Sequence, residues 1–202
     1  VRIYVYQLIL LILSTVYYYF RITYIRKNEN RVKKLKIGFL VINMGTLIFI
    51  SGFRGASVGT DTRTYLSLYN ISKSLTWSEL FDQRVEWAYG IVAKLCSLVY
   101  DNHQFYIFIF SLIIGVGFAV IIYKSSDDVP LSVFLYVTLR IYSQSMNIMR
   151  QSVAIMLVGI AYLFIKEKKW LKATILIILA TGFHTTAIVG LSIPGDSEPP
   201  FR

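Results

Sequence analysis

Four runs free of Asp, Glu, Lys and Arg, at residues 3–20, 37–53, 104–123 and 173–193, constrain this chain more than any other feature. Eighteen helical residues rise about 27 Å, close to the roughly 30 Å hydrocarbon core of a bilayer. Lipid offers no hydrogen-bond partners, so backbone crossing it must satisfy itself, and runs of this length are expected to be helices. Of the 202 residues, 55% are hydrophobic and only 16% charged, against about 25% charged in a soluble domain. Mean hydropathy is +0.58. The fold class predicted is all-α, a polytopic helical membrane protein.

The charges fix the sides. Net charge is +10, a balance that in a soluble protein would suggest nucleic acid. Here the surplus sits in two short loops, residues 21–36 and 166–172, so membrane topology accounts for it and no nucleic-acid partner is expected. By the positive-inside rule both loops are cytoplasmic; an anionic-lipid site in residues 21–36 is the alternative role. Residues 54–103 then form an external loop, in which Arg54, Arg63, Lys73 and Arg84 balance Asp61, Glu79, Asp82 and Glu86. Residues 85–100 carry a helical stripe (Val85, Ala88, Val92, Leu95, Val99) but are short and hold Lys94, so they read as an amphipathic helix lying on, or dipping into, the outer leaflet.

Residues 131–165 are too long for one crossing and have a polar middle. They predict either two helices meeting at an outer turn near Ser143 to Asn147, or a re-entrant hairpin. The spans expected are about six: 3–20, 37–53, 104–123, 131–147, 148–165 and 173–193. Together they make one integral membrane domain, residues 1–193, with residues 194–202 as an atypical tail. Local signals add detail. Thr60 or Asp61 is placed to cap a short helix with Tyr65, Leu68 and Tyr69 on one face. Thr76-Trp77-Ser78-Glu79 has the form of a capping box. Asp127-Asp128 ahead of Pro130 reads as a helix start rather than a metal-binding pair.

Chemistry concentrates at the outer side. A polar loop as long as residues 51–86 is uncommon between packed helices unless it binds or reacts with something. Arg140 and Arg150 fall at or below headgroup depth, where a charge is costly and is a functional candidate. Arg150 is favoured because Asn147, Arg150 and Gln151 share a helical face. His184 lies in the outer half of the last span, with Thr181 and Thr185 on its face. The single cysteine, Cys96, allows no internal disulfide and no zinc cluster; no metal and no cofactor are expected.

The order of these features resembles the EpsG family of bacterial membrane proteins, related to the Wzy-type exopolysaccharide and capsule polymerases. The residues that carry the likeness are G-T-D-T-x-x-Y at residues 59–65 preceded by Arg54, E-x-x-Y at Glu86 to Tyr89, N-x-x-R-Q-x-x-A at Asn147 to Ala154, and F-H-T-T-A at Phe183 to Ala187. The resemblance covers nearly the whole chain, residues 3–193. It implies a membrane glycosyltransferase-type polymerase that joins lipid-linked oligosaccharide repeats on the outer face of the bacterial cytoplasmic membrane. The partners implied are that lipid-linked oligosaccharide, the lipid bilayer and other polysaccharide-assembly membrane proteins. The family normally continues into further membrane helices, so a shortened copy is expected here, with residues 195–202 foreign to the fold.

On this reading Arg150 and Arg54 pair with a leaving diphosphate. His184, Asp61 and Glu86 offer a base for the acceptor hydroxyl. Tyr65, Trp87 and Tyr89 are placed to stack on sugar rings, and Arg63, Asn147 and Gln151 to bind substrate. Arg150, His184, Arg54 and Asp61 are expected to converge in one outward-facing cavity. The rival functions are a transporter or flippase for the same glycan, and a non-catalytic component of the assembly complex. A transporter would favour internal repeats and broken helices; no repeat is evident, and all four prolines lie outside the spans.

Overall fold

The structure is a computed structural model that describes residues 2–82 and 86–192. Val85, Arg84 and the expected tail, residues 194–202, lie outside the described residues. These contain ten α-helices, a final 3₁₀ helix and no strand. In chain order the helices are α1 (Arg2–Ile25), α2 (Glu29–Gly52), α3 (Thr62–Ser74), α4 (Glu79–Asp82), α5 (Trp87–Val99), α6 (His103–Ser125), α7 (Val129–Thr138), α8 (Ile141–Ser145), α9 (Met149–Lys166) and α10 (Trp170–Thr181). The 3₁₀ helix is Thr185–Ser192.

Among the described residues four helices are long and apolar enough to cross a membrane: Ile3–Ile25, Glu29–Gly52, His103–Ser125 and Met149–Lys166. Their outward faces carry exposed large apolar side chains, including Ile9, Leu13, Val16, Val41, Phe49, Val116 and Ile155. That arrangement suits lipid as the surrounding solvent, and the chain is a membrane protein. The helices overrun the expected spans. The basic residues 29–36 are not loop but the opening turns of α2. Long cationic side chains reach water from a helix surface, so a helix can continue past the end of an apolar run.

Polar punctuation sets several helix starts. Asn28 accepts from the Arg31 amide, Asn102 from the Gln104 and Phe105 amides, and Asp128 from the Leu131 amide with proline in the first turn. Each satisfies amide donors that a helix N-terminus leaves orphaned. The capping box also forms: the Thr76 amide donates to Glu79 Oε2 at 2.7 Å, and the Glu79 amide to Thr76 Oγ1 at 3.4 Å. Asp61 stands at the N-cap of α3 but makes no side-chain cap bond.

Two expected spans are interrupted. The run 131–147 is divided into α7 and α8 by Arg140, which adopts a left-handed φ of 66°. α8 and α9 then meet through a turn at residues 146–148, at the end of the expected stretch. The last run stops as an α-helix at Thr181. His184 therefore lies in a break between α10 and the 3₁₀ helix, not on a continuous helix with Thr181 and Thr185. The break has a packing cause. A Cβ on Gly182 would stand 2.6–2.7 Å from the Trp87 ring and Ala88 Cβ, so α5 presses on the chain at this point.

Packing builds one bundle. α2 packs on α6, α6 on α9 and α9 on α10, while α1 leans on α2. A central cluster joins Tyr69, Tyr89, Tyr106 and Phe110 to Met149, Val153 and Phe183. A second joins Leu11, Met44 and Leu47 to Val129, Val133 and Tyr142. Between α1 and α2, fully buried Asn43 donates to Ser14 Oγ at 3.0 Å and to the Phe39 carbonyl at 3.0 Å. An interhelical bond such as that to Ser14 averages about 0.6 kcal/mol in a membrane.

The two ends of the bundle differ. At one, Tyr19 donates to Asp128 at 2.7 Å, and Lys124 lies within electrostatic reach of Glu167. The α1–α2, α6–α7 and α9–α10 turns are thereby gathered at the basic end. The motif residues gather at the other.

Candidate functional site

Glu86 organises the motif end. It precedes α5 and keeps only 14% side-chain exposure. One carboxylate oxygen, Oε2, accepts a hydrogen bond from Arg150 Nη1. The other, Oε1, lies 3.4 Å from His184 Nδ1. Arg150 and His184, 64 and 98 positions from Glu86 in sequence, thus share one acid.

Their supports come from three directions. Arg150 is the second residue of α9, whose N-cap Ile148 offers no side-chain acceptor. A cation there opposes the helix dipole, and the Glu86 charge offsets that. Arg150 Cζ also stands 5.7 Å from the centroid of the Tyr89 ring, a cation–π contact that ties the guanidinium to the aromatic core. His184 is placed by the Gly182 break. The Ala88 and Tyr89 amides donate to the Gly182 carbonyl at 2.9 and 3.4 Å, which locks the start of α5, and hence Glu86, to the end of α10. Gly182 was not among the residues singled out from sequence, since its role depends on a contact some 94 positions away.

Beneath this group the aromatics are structural. Tyr89 is fully buried and Tyr65 is 6% exposed. The Tyr89 hydroxyl hydrogen-bonds the Tyr106 hydroxyl and reaches the Tyr65 carbonyl at 3.5 Å. Neither ring has a free face, which corrects the expectation that they stack on sugars. Trp87 differs. It is 37% exposed and lies nearly parallel to Phe81, with planes 22° apart and centroids 6.3 Å apart.

Arg54 is also drawn inward, to 6% exposure. It donates to the Ser51 and Met146 carbonyls at 2.9 and 3.4 Å, and to Thr62 and Ser111 hydroxyls at 3.5 Å. Burial pushes its pKa down, yet arginine stays charged at any pH a protein meets. Its donors are spent on protein acceptors that join α2, α3, α6 and the α8–α9 turn. Arg54 is a strut here, and the expected convergence of Arg54 with Arg150 and His184 in an open cavity does not occur.

The remaining candidates divide between support and surface. Asn147 precedes α9 rather than sharing its face with Arg150 and Gln151. Its Oδ1 accepts the Thr60 amide at 3.0 Å, beside Gly59, whose φ of +91° is left-handed and favours glycine. Asn147 therefore pins the G-T-D-T turn. Asp61 and Arg63 are exposed. Gln151 lines a groove of about 300 Å³ with His184, Ala154, Ile155, Val158 and Ala187. Among the described residues no three His, Cys, Asp or Glu side chains gather to hold a metal ion.

A second polar clip has no local signature in the sequence. Tyr69 donates to Asp101 Oδ1 at 2.7 Å, Lys73 Nζ lies 3.0 Å from Asp101 Oδ2, and His103 Nε2 is 3.1 Å from Asn70 Oδ1. It fastens α3 to the α5–α6 turn. The Tyr69 and Lys73 contacts hold the Asp101 carboxyl below its ordinary range. Burial, then Asp101 itself, raises the Tyr69 phenol.

Residues 37–195 match the family model described as the EpsG family. No curated protein and no solved structure matches the chain.

Proposed function

This chain belongs to the EpsG family, and on that premise we propose that it joins polyprenyl-diphosphate-linked oligosaccharide repeats at the outer face of the bacterial cytoplasmic membrane. The single observation that carries the reading is the Glu86 carboxylate held jointly by Arg150 and His184. In the reaction, an acceptor hydroxyl oxygen attacks the anomeric carbon of the donor. The bond from that carbon to the diphosphate oxygen breaks, and the electron pair leaves with the polyprenyl diphosphate. Arg150 spends Nη1 on Glu86 and keeps further N–H donors for phosphate oxygens, a fork that lysine lacks. His184 turns Nδ1 toward Glu86. An acceptor on that side favours the tautomer with its proton on Nδ1 and its lone pair on Nε2. Nε2 then takes the proton of the attacking hydroxyl. Glu86 acts as a positioning residue rather than as the base.

The proposal carries a topology of six crossings with both basic loops inside. α7 with α8 makes the fourth crossing, and α10 with the 3₁₀ helix makes the sixth. The exposed Trp87–Phe81 pair, close to Glu86, is the aromatic surface for a sugar ring, and Asp61 and Arg63 contact the glycan from the loop. Lipid-linked oligosaccharide is the substrate, and other polysaccharide-assembly membrane proteins are partners.

The test is the chain-length distribution of glycan made from a purified lipid-linked repeat at matched membrane expression. His184→Gln keeps hydrogen bonding but not this basicity, and is expected to slow polymerisation about 10²–10⁴-fold. Arg150→Lys keeps the charge but loses the fork, and is expected to shorten the polymer strongly. Wild-type lengths and rates from both variants would remove the two residues from the mechanism.

A further inference from the structure

We propose that the basic end of the α2–α6 interface is a binding site for one anionic diacyl phospholipid of the inner leaflet. Two observations meet there. The first is a cup of about 340 Å³ lined by Arg26, Lys33, Lys36 and Lys124, with Glu29 as the single acid. Among the described residues none of these four cations is in an ion pair, so the cup keeps a net positive charge. Cationic pockets between helices at the cytoplasmic surface suit phosphate headgroups.

The second is an apolar groove of about 450 Å³ that shares Tyr123 and Lys124 with the cup and continues between α2 and α6. Its α2 wall runs from Ile37 to Ile48 and its α6 wall from Tyr123 back to Val116. Residues 37–48 of a helix rise about 17 Å. One leaflet of a roughly 30 Å hydrocarbon core is about 15 Å deep. The groove therefore begins at a headgroup cup and ends near the bilayer midplane, the dimensions of one acyl chain below its own phosphate. Gly45 forms part of its wall, and a Cβ there would meet nothing within 4 Å. The charge of the cup selects an anionic headgroup, and the groove selects a chain-bearing ligand over a soluble phosphate. This site lies at the opposite end of the bundle from Glu86 and does not depend on the reaction proposed above.

Native mass spectrometry of the detergent-purified protein, titrated separately with dioleoylphosphatidylglycerol, dioleoylphosphatidylcholine and glycerol 3-phosphate, tests it. Phosphatidylglycerol is expected to bind in a single tight step and phosphatidylcholine at least about ten-fold more weakly. Each cation near an anionic lipid is worth about five-fold in affinity, so Lys33→Ala with Lys124→Ala is expected to weaken phosphatidylglycerol binding about 25-fold. The paired arginine replacements at the same positions are expected to retain binding. Gly45→Leu keeps every charge and adds a better helix former, and is expected to displace the lipid by filling the groove. Unchanged elution on size exclusion checks that each variant is folded. Equal binding of the two lipids would overturn the proposal, as would an unchanged affinity in the double alanine variant. Glycerol 3-phosphate binding as tightly as phosphatidylglycerol would reduce the site to an anion cup and refute its lipid character.

Discussion

Glu86→Gln is the perturbation that the arrangement answers most sharply. Glutamine keeps the shape of the side chain and removes the charge that Arg150 and His184 share. An exposed ion pair is worth about 0–1 kcal/mol, whereas removing one partner of a buried pair costs about 3–5 kcal/mol. Glu86 and Arg150 keep 14% and 29% exposure, so their pair falls between these limits, at about 2 kcal/mol. The His184 contact is longer, at 3.4 Å, and 30% exposed on the histidine side; it is worth at most about 1 kcal/mol. Two double-mutant cycles on unfolding free energy in detergent separate the contacts, one with Arg150→Gln and one with His184→Gln. The Glu86–Arg150 coupling is expected near 2 kcal/mol and the Glu86–His184 coupling at under half of that, about 1 kcal/mol or less. Independent sites add within about 0.3–0.5 kcal/mol. Additivity within that band in the arginine cycle would refute the shared-carboxylate geometry. A larger coupling in the histidine cycle would refute the ranking of its two arms.

Gly182→Ala is expected to lower stability by about 1–3 kcal/mol, the usual cost of overpacking, because its Cβ would meet Trp87 and Ala88 at 2.6–2.7 Å; unchanged thermal unfolding in detergent would contradict that contact. Asp101 has a depressed carboxyl pKa, so its stabilising effect is present above the unfolded value of about 3.9 and is lost as pH falls through the lower folded value. Hydrogen-exchange protection at the end of α3, taken relative to the free-amide rate at each pH, is expected to fall below about pH 4 in the native protein and to lose that pH dependence in Asp101→Asn. For topology, single cysteines at Lys33 and Lys172 in a Cys96→Ser background are expected to be shielded from an impermeant outer-face reagent, and one at Thr64 to be labelled. Thr64 is chosen because neighbouring Thr62 is fully buried and bonded to the Val58 carbonyl.

What the sequence determined by itself is what short-range physics controls. Apolar run length identifies a helical membrane protein, and clustered Lys and Arg mark one end of the bundle as basic. The helix starts at Asp128 and Glu79 were legible because a cap bonds amides only two or three residues away. The motif order at Gly59, Glu86, Asn147 and Phe183 was enough to identify the family.

Tertiary structure alone decided what those residues do. Arg54 and Arg150 look alike in the sequence, two arginines near the outer leaflet. One is surrounded by four protein acceptors from separate elements, and the other meets a single carboxylate with donors to spare. Tyr89 and Trp87 sit two positions apart on α5, and the helix turns the first into the core and leaves the second at the surface. His184 left its helix because Gly182 admits α5 at a distance no side chain tolerates. These outcomes depend on contacts between residues tens of positions apart, and hydropathy and local spacing report only on a residue's immediate neighbours.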